Sequence, residues 1–459
     1  MAEGSETRTP FFPPSPSPPK PQLVRELNLA HALAINAGTM IGTGIFLVPQ
    51  SIAASVETAG AILVVWIVAS VLAMLGGLTY AELGAAIPQA GGDYVYIREA
   101  FGRRAGFLFG WTQLLVARSG SIAALAAGFA IFLGNFLPLD QWGGKIAALA
   151  AVALLTGINV TGVRSGGNVQ VVFTVLKIGA LLTLIVLALT SDAGTTANFS
   201  SLVPEGLGLA FVGMFGLALV DALWAYDGWN DVNLTAGEVK NPKRNIPLAM
   251  LGSISVCMVV YILANVAYLY VLPPSAQAAS QTGVAAEVAR AIFGEFGAKF
   301  INLAILLSMF GALNGSILSG ARIFYAMADD GLFFRKFASV HPRYFTPAVA
   351  LVGQAVWAAV LILFGVYREL TTYVVFASWM FYSLSSLALI RLRRTRPDLD
   401  RPYKSWGYPY SQFLFVTAAT GIILNTLWVA PRESMIGLAI IALGIPVFGI
   451  WESRRVEKK

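Results

Sequence analysis

Two short stretches carry residue types that are out of place in their surroundings. GTMIGTG, from Gly38 to Gly44, and WAYDGWND, from Trp224 to Asp231, both set glycine and polar residues in the middle of long apolar runs. Glycine weakens a helix, and a helix that stops in mid-run leaves C=O groups and N–H groups without partners. Loose amides at a half-helix N-terminus attract an anion, and loose carbonyls attract a cation. A third outlier is Lys177 in VVFTVLKIGALL, an ammonium group with apolar residues on both sides. These groups are suited to binding rather than to making or breaking bonds. No paired carboxylates at catalytic spacing, phosphate-binding loop or Ser/His/Asp constellation stands out, so the chain does not read as an enzyme. His31, His341 and the single cysteine, Cys257, are far apart in sequence, and neither a metal ion nor another cofactor is expected.

The elements that must hold these residues are membrane helices. Of 459 residues, 57% are hydrophobic and 12% charged, and the mean hydropathy is +0.70, which excludes a soluble multidomain protein. A bilayer is crossed by about 20 apolar residues. Twelve such segments are expected, near 28–56, 61–87, 104–134, 145–161, 169–190, 207–235, 247–272, 297–328, 347–366, 370–391, 410–429 and 434–451. Basic residues collect in alternate loops: Arg98 to Arg104, Arg164, Lys240 to Arg244, Arg335 to Arg343, Arg391 to Lys404 and the end from Arg454. Lys145, Arg290, Lys299, Arg368 and Arg432 fall on the other side. Basic loops stay in the cytoplasm, so both termini are expected there. The net charge of +7 is then topological, and no nucleic-acid partner is expected. The opening TPFFPPSPSPPKPQ lacks the pattern of a signal peptide and reads as part of a disordered cytoplasmic tail over 1–25.

The two interrupted runs are the first and sixth segments. Gly38 and Gly42 also form a GxxxG, which by itself serves close packing of helices. A second interruption five helices later points instead to two inverted repeats of five helices, with a ligand site between the breaks. Irregular backbone at mid-membrane is tolerated where it lines a cavity or is buried in protein. The repeats are expected over 26–200 and 201–392, followed by a basic loop at 393–409, two added helices over 410–452 and a short tail at 453–459. Ile87 to Gly102 is expected as an amphipathic stretch at the cytoplasmic face, and Ala285 to Phe300 as an outer helix capping the site.

Five stretches carry a family resemblance. GTMIGTGIF, AELGAAIPQAGGDYVYI, WAYDGWNDVNLTAGEVKNPKRNIPLA, NGSILSGARIFYAMADDGLFFRKFASVHPRYFTP and RLRRTRPDLDRPYK resemble the amino acid-polyamine-organocation superfamily, and within it the L-type amino acid transporter branch and its bacterial relatives. The likeness runs from about residue 25 to 430. It implies an all-α polytopic membrane protein of LeuT-like fold that carries L-amino acids by alternating access, most often by sodium-independent exchange of small or medium neutral ones. Mammalian members are tied by a cysteine between the third and fourth helices to a heavy chain. The corresponding LGNFLPLDQWGG has no cysteine, so no disulfide-linked heavy chain is expected and a bacterial inner membrane is the implied location.

The resemblance also implies site residues. Thr43, Gly44 and Ile45 match the site of the substrate carboxylate, with Gly42 and Gly44 allowing close approach. The carbonyls of Ile41, Trp224, Ala225 and Asp227 match acceptors for the substrate ammonium, and Trp224 matches an outer gate. Gly228 and Asn230 support the second break, with Asn230 a candidate cap of the restarted helix. Lys177 stands where sodium-coupled relatives hold a cation, with the carbonyl at Gly38 and Ser308 as partners; Ala312 replaces a serine common in the family. Snorkelling is the plainer reading of Lys177, since some eight residues into the helix gives a depth of about 12 Å. A titrating Lys177 implies proton symport instead, and Asp227 facing the pocket implies a cationic amino acid or polyamine substrate. Arg322 is close enough to the cytoplasmic end to snorkel, Glu82 lies near the inner face, and Arg118 has no assigned partner. A channel or an amino acid-sensing receptor remains a distant alternative.

Overall fold

A chain in lipid must satisfy its backbone polar groups internally, and this one does so with helices. The structure, a computed structural model, describes residues 21–202, 208–365 and 367–456; segments 1–20 and 457–459 of the expected tails lie outside them. Among the described residues, nine helices are long and apolar enough to cross a membrane. Two shorter apolar helices and Tyr367–Thr395 complete twelve spans.

In chain order the spans are Leu29–Met40 with Gly44–Val56, Ala59–Ala86, Arg103–Leu133, Gln141–Val160, Val163–Thr190, and Leu209–Ala225 with Asp231–Leu234. Then follow Pro242–Val271, Val284–Asp329, Ala348–Phe364, Tyr367–Thr395, Tyr410–Val429 and Pro431–Val456. The first and eighth spans are the most enclosed, and the twelfth is the most open to its surroundings. The second span packs along the seventh. The third meets the tenth as the eighth meets the fifth, and the ninth meets the third as the fourth meets the eighth. These pairings exchange when each helix number shifts by five, as inverted repeats require.

Several boundaries differ from expectation for local reasons. The fourth span begins at Gln141, because the Asp140 side chain accepts from the Gly143 N–H and caps the helix there. The fifth begins at Val163, after Gly162 at φ 149°, which places Lys177 some 14 residues inside the helix and about 21 Å deep. At that depth a lysine stem does not reach the interface, and snorkelling is excluded. The stretch Ala285 to Phe300 is not one outer helix: Gly294, at φ 63° and ψ −153°, turns the chain before it continues into the eighth span. The third span contains a π-helical turn, Gln113–Ala117, for which the sequence offered no sign.

Several charged residues inside the bundle are paired with opposite charges. Arg322 does not snorkel: it is fully buried and holds Glu238 through Nε at 2.7 Å and Nη2 at 2.9 Å. Arg118 grips Asp231 at 2.8 and 3.2 Å, and Ser319 donates to the same carboxylate at 2.7 Å. Glu82 takes Arg393 at 2.5 Å, Arg401 at 3.4 Å and the Ser405 N–H at 2.6 Å. Removing one partner of such a buried pair costs about 3–5 kcal/mol, whereas an exposed pair contributes little. Glu238→Ala is therefore expected to lower the apparent melting temperature in detergent by far more than Lys243→Ala, whose partner Asp400 is exposed. Equal shifts would refute this account.

Candidate functional site

The first break is set by the end of the half-helix Leu29–Met40 at Ile41, whose ψ of 73° leaves the helical region. The chain resumes at Gly44, so the N–H groups of Thr43, Gly44 and Ile45 head a new helix and find no acceptor among the described residues. Together with the helix dipole they form a ready anion site. Gly44 has an additional role. A β-carbon there would lie 2.4 Å from Ala225 Cα, so what approaches Gly44 is the backbone of the sixth span itself.

The second break follows Ala225. Tyr226 to Asn230 form a turn that passes through Gly228 at φ 96°, and a β-carbon at that position would strike Thr39 2.5 Å away. The two breaks thus touch at two points, Gly44 on Ala225 and Gly228 on Thr39.

Most of the freed carbonyls are already occupied. Lys177, buried on the fifth span, donates from Nζ to Gly38 O at 2.7 Å, Ile41 O at 2.6 Å and Ser308 O at 3.0 Å. Its three protons are satisfied by three carbonyls. Ser308 Oγ donates to Ile41 O at 2.8 Å or to Gly42 O at 3.2 Å, so in this state Ile41 O is already engaged by Lys177 and within reach of a second donor. Tyr261, on the seventh span, lies across both breaks and donates to Met40 O at 2.7 Å or Ala225 O at 2.9 Å. Trp224 O accepts the Asp227 N–H at 3.1 Å within the turn. One lone pair at Trp224 and the carbonyl of Asp227 have no partner among the described residues.

Two small polar cavities flank Asp227. The outer one, about 30 Å³, is lined by Thr39, Gly42, Thr43, Gly44, Trp224 and Ser316 among others. The inner one, about 10 Å³, is lined by residues including Asp93, Gln113, Arg118, Asn230 and Tyr382. Ser121 and Asp227 belong to both. Both are far below the ~300 Å³ of an ordinary ligand pocket, so neither has room for an amino acid in this state.

Thr43, Gly44, Trp224 and Asp227 are brought to the outer cavity, while Gly38, Lys177 and Ser308 form a separate cluster behind the first break. Asp227 accepts from Tyr382 at 2.9 Å. Asn230 does not cap the restarted helix; its Nδ2 donates to Asp93 at 2.9 Å. The cap comes from Asn36, which the sequence reading passed over although an asparagine in LAHALAINAGTM is as unusual as the lysine. Tyr261 and Tyr382 left no signal, because tyrosine is ordinary in an apolar span. The sole cysteine, Cys257, is buried in the seventh span, and no group of three metal-ligating residues occurs among the described residues.

A bundle of twelve spans in which two break at mid-length and leave backbone donors and acceptors free has the architecture of a membrane transporter. Residues 27–451 match the profile described as amino acid permease, and the chain belongs to this family. It is 36% identical over 388 residues to b(0,+)-type amino acid transporter 1 of Mus musculus, covering 83% of this chain and 79% of that protein. It is 31% identical over 437 residues to the serine/threonine exchanger SteT of Bacillus subtilis, covering 95% and 98%. Against the large neutral amino acids transporter small subunit 2 of Mus musculus the identity is 33% over 437 residues, covering 93% and 81%. The protein is thus a multi-pass amino acid permease and not an enzyme.

Tyr261→Phe leaves two buried carbonyls to lose one donor, a change of about 1–3 kcal/mol. Amino acid transport in proteoliposomes is expected to fall about tenfold or more while the protein still folds. A wild-type rate would show that the hydroxyl does not hold the breaks together.

Proposed function

We propose that the protein exchanges small or medium neutral L-amino acids one for one, without sodium, by alternating access across a bacterial inner membrane, with both termini in the cytoplasm. The observation that supports this most is Lys177. Its ammonium is held by carbonyls of the first and eighth spans, so a fixed charge stands where a mobile cation would have to bind, and a second positive charge at that place is repelled. The substrate carboxylate meets the N–H groups of Thr43, Gly44 and Ile45. Its ammonium meets the free acceptors at Trp224 and Asp227, with Ala225 sharing Tyr261. Trp224 closes the outer side. The repeats divide near residue 200, with 26–200 and 201–392 enclosing the site. With its one cysteine buried, the chain works without a disulfide-linked heavy chain.

Asp227 supports a second reading. Asp227 lines both cavities, and a cationic side chain placed there would find an opposite charge. Proton symport through Lys177 is a further alternative mechanism for the same site.

Counterflow separates these. Labelled neutral amino acid is expected to enter proteoliposomes only when unlabelled amino acid is inside, equally with and without sodium. Uptake into empty vesicles under an inward proton gradient would overturn strict exchange, and preference for arginine or lysine in competition among the twenty amino acids would favour the Asp227 reading. Lys177→Ala is expected to abolish exchange in protein that still folds, whereas wild-type rates would remove the coupling role.

A further inference from the structure

An apolar cleft of about 350 Å³ opens on the side of the bundle between the third, tenth and twelfth spans. Ala105, Leu108, Met380, Leu384, Leu387 and Ile441 line it, and Ser383 is the one polar residue in its wall. The tenth span, Tyr367–Thr395, has its midpoint at roughly residue 381, so the cleft follows the half of the helix that ends at Thr395. Leu387 is 37% exposed there. A bilayer sets acyl chains at this depth, and an apolar wall is better covered by a chain than by water. Apolar contact alone does not select among lipids.

The charges at the end of the cleft supply that selection. At about 3.6 residues per turn, Arg391 and Arg394 fall on the same face of the tenth span as Met380, Ser383, Leu384 and Leu387, whereas Arg393 turns inward to Glu82. At about 1.5 Å per residue they lie roughly 15 and 20 Å from mid-helix, where the ~30 Å hydrocarbon core gives way to headgroups. Arg104 stands beside Ala105 at the start of the third span. Neighbouring cations are already used: Arg103 holds Glu452 at 3.6 Å, and Arg98 and Arg396 hold Glu99 at 2.8 and 3.3 Å. The side chains of Arg104, Arg391 and Arg394 are exposed and bond to no carboxylate or carbonyl among the described residues. Arg391 lies with its guanidinium carbon 5.4 Å from the centre of the Phe101 ring, which steadies the group and leaves its N–H donors free.

We propose that this cleft, with Arg104, Arg391 and Arg394, is a binding site for an anionic phospholipid, one acyl chain lying in the cleft and the phosphate on the arginines. Guanidinium groups pair with phosphate oxygens through two parallel N–H donors, so the three free arginines complement a headgroup of net negative charge. A choline headgroup brings its own cation to the same place and is disfavoured. Placing the lipid in the inner leaflet rests on the orientation proposed above; the site itself does not.

Native mass spectrometry of the full chain in detergent, titrated with dioleoylphosphatidylglycerol or dioleoylphosphatidylcholine, tests the site whether or not the protein exchanges amino acids. Phosphatidylglycerol is expected to be retained about tenfold more tightly than phosphatidylcholine. Arg391→Gln with Arg394→Gln is expected to weaken phosphatidylglycerol about thirtyfold, roughly fivefold for each charge, and to leave phosphatidylcholine within about twofold. Both arginines are exposed, so the variant keeps the fold. Lys240→Gln with Lys336→Gln removes the same charge from exposed positions in other loops, and there phosphatidylglycerol is expected to stay within about twofold. Leu384→Trp fills the cleft and is expected to weaken phosphatidylglycerol about tenfold with every arginine in place. Equal retention of the two lipids by the native chain overturns the proposal. So does an equal loss in the arginine and lysine variants, which would mean a diffuse basic surface, or unchanged binding in Leu384→Trp, which would mean that no chain occupies the cleft.

Discussion

Everything in this fold follows from one constraint: a backbone group without a partner at mid-membrane is too costly to keep. The first and sixth spans both stop there, and the rest of the bundle supplies partners for what they release. Lys177 and Ser308 reach in from the fifth and eighth spans, Tyr261 from the seventh, and Asn36 crosses from one break to the other. Donors from side chains thus cover most of the carbonyls. What is left over is uneven, with three amides heading the second half of the first span and a few acceptor sites on the sixth. That remainder is what the proposed amino acid exchange uses, donors for a carboxylate beside acceptors for an ammonium.

The same logic explains the buried charges of so apolar a chain. Arg118 with Asp231 and Arg322 with Glu238 connect the restarted part of the sixth span and the segment after it to the third and eighth spans, and Glu82 with Arg393 connects the second span to the tenth. Buried ion pairs add little net stability over an apolar contact, but breaking one is expensive, so they hold one arrangement against others. Here that arrangement leaves only small polar cavities on either side of Asp227, without room for an amino acid.

Glycine at the breaks serves contact between helices at the same place where the ligand is proposed to bind. Gly44 admits the backbone of Ala225, and Gly228 makes room for Thr39. Close packing and ligand binding, which compete as explanations in the sequence, coincide in space because the site lies where the two broken helices cross.

Composition and period alone determined that this chain is a bundle of membrane helices, where two of them break, and that a lysine lies out of place in the fifth. These are local properties: hydropathy over about 20 residues, and residue types that weaken a helix. The family was legible for the same reason, because its motifs are continuous stretches around the breaks. The tertiary structure decided which groups meet. That Ile41 O is engaged by Lys177, that Arg322 finds Glu238 rather than the interface, and that Asn36 rather than Asn230 caps the sixth helix are facts about residues more than 80 positions apart. No periodicity encodes such pairings. They depend on how helices cross, and the crossing is set by the packing of all twelve at once.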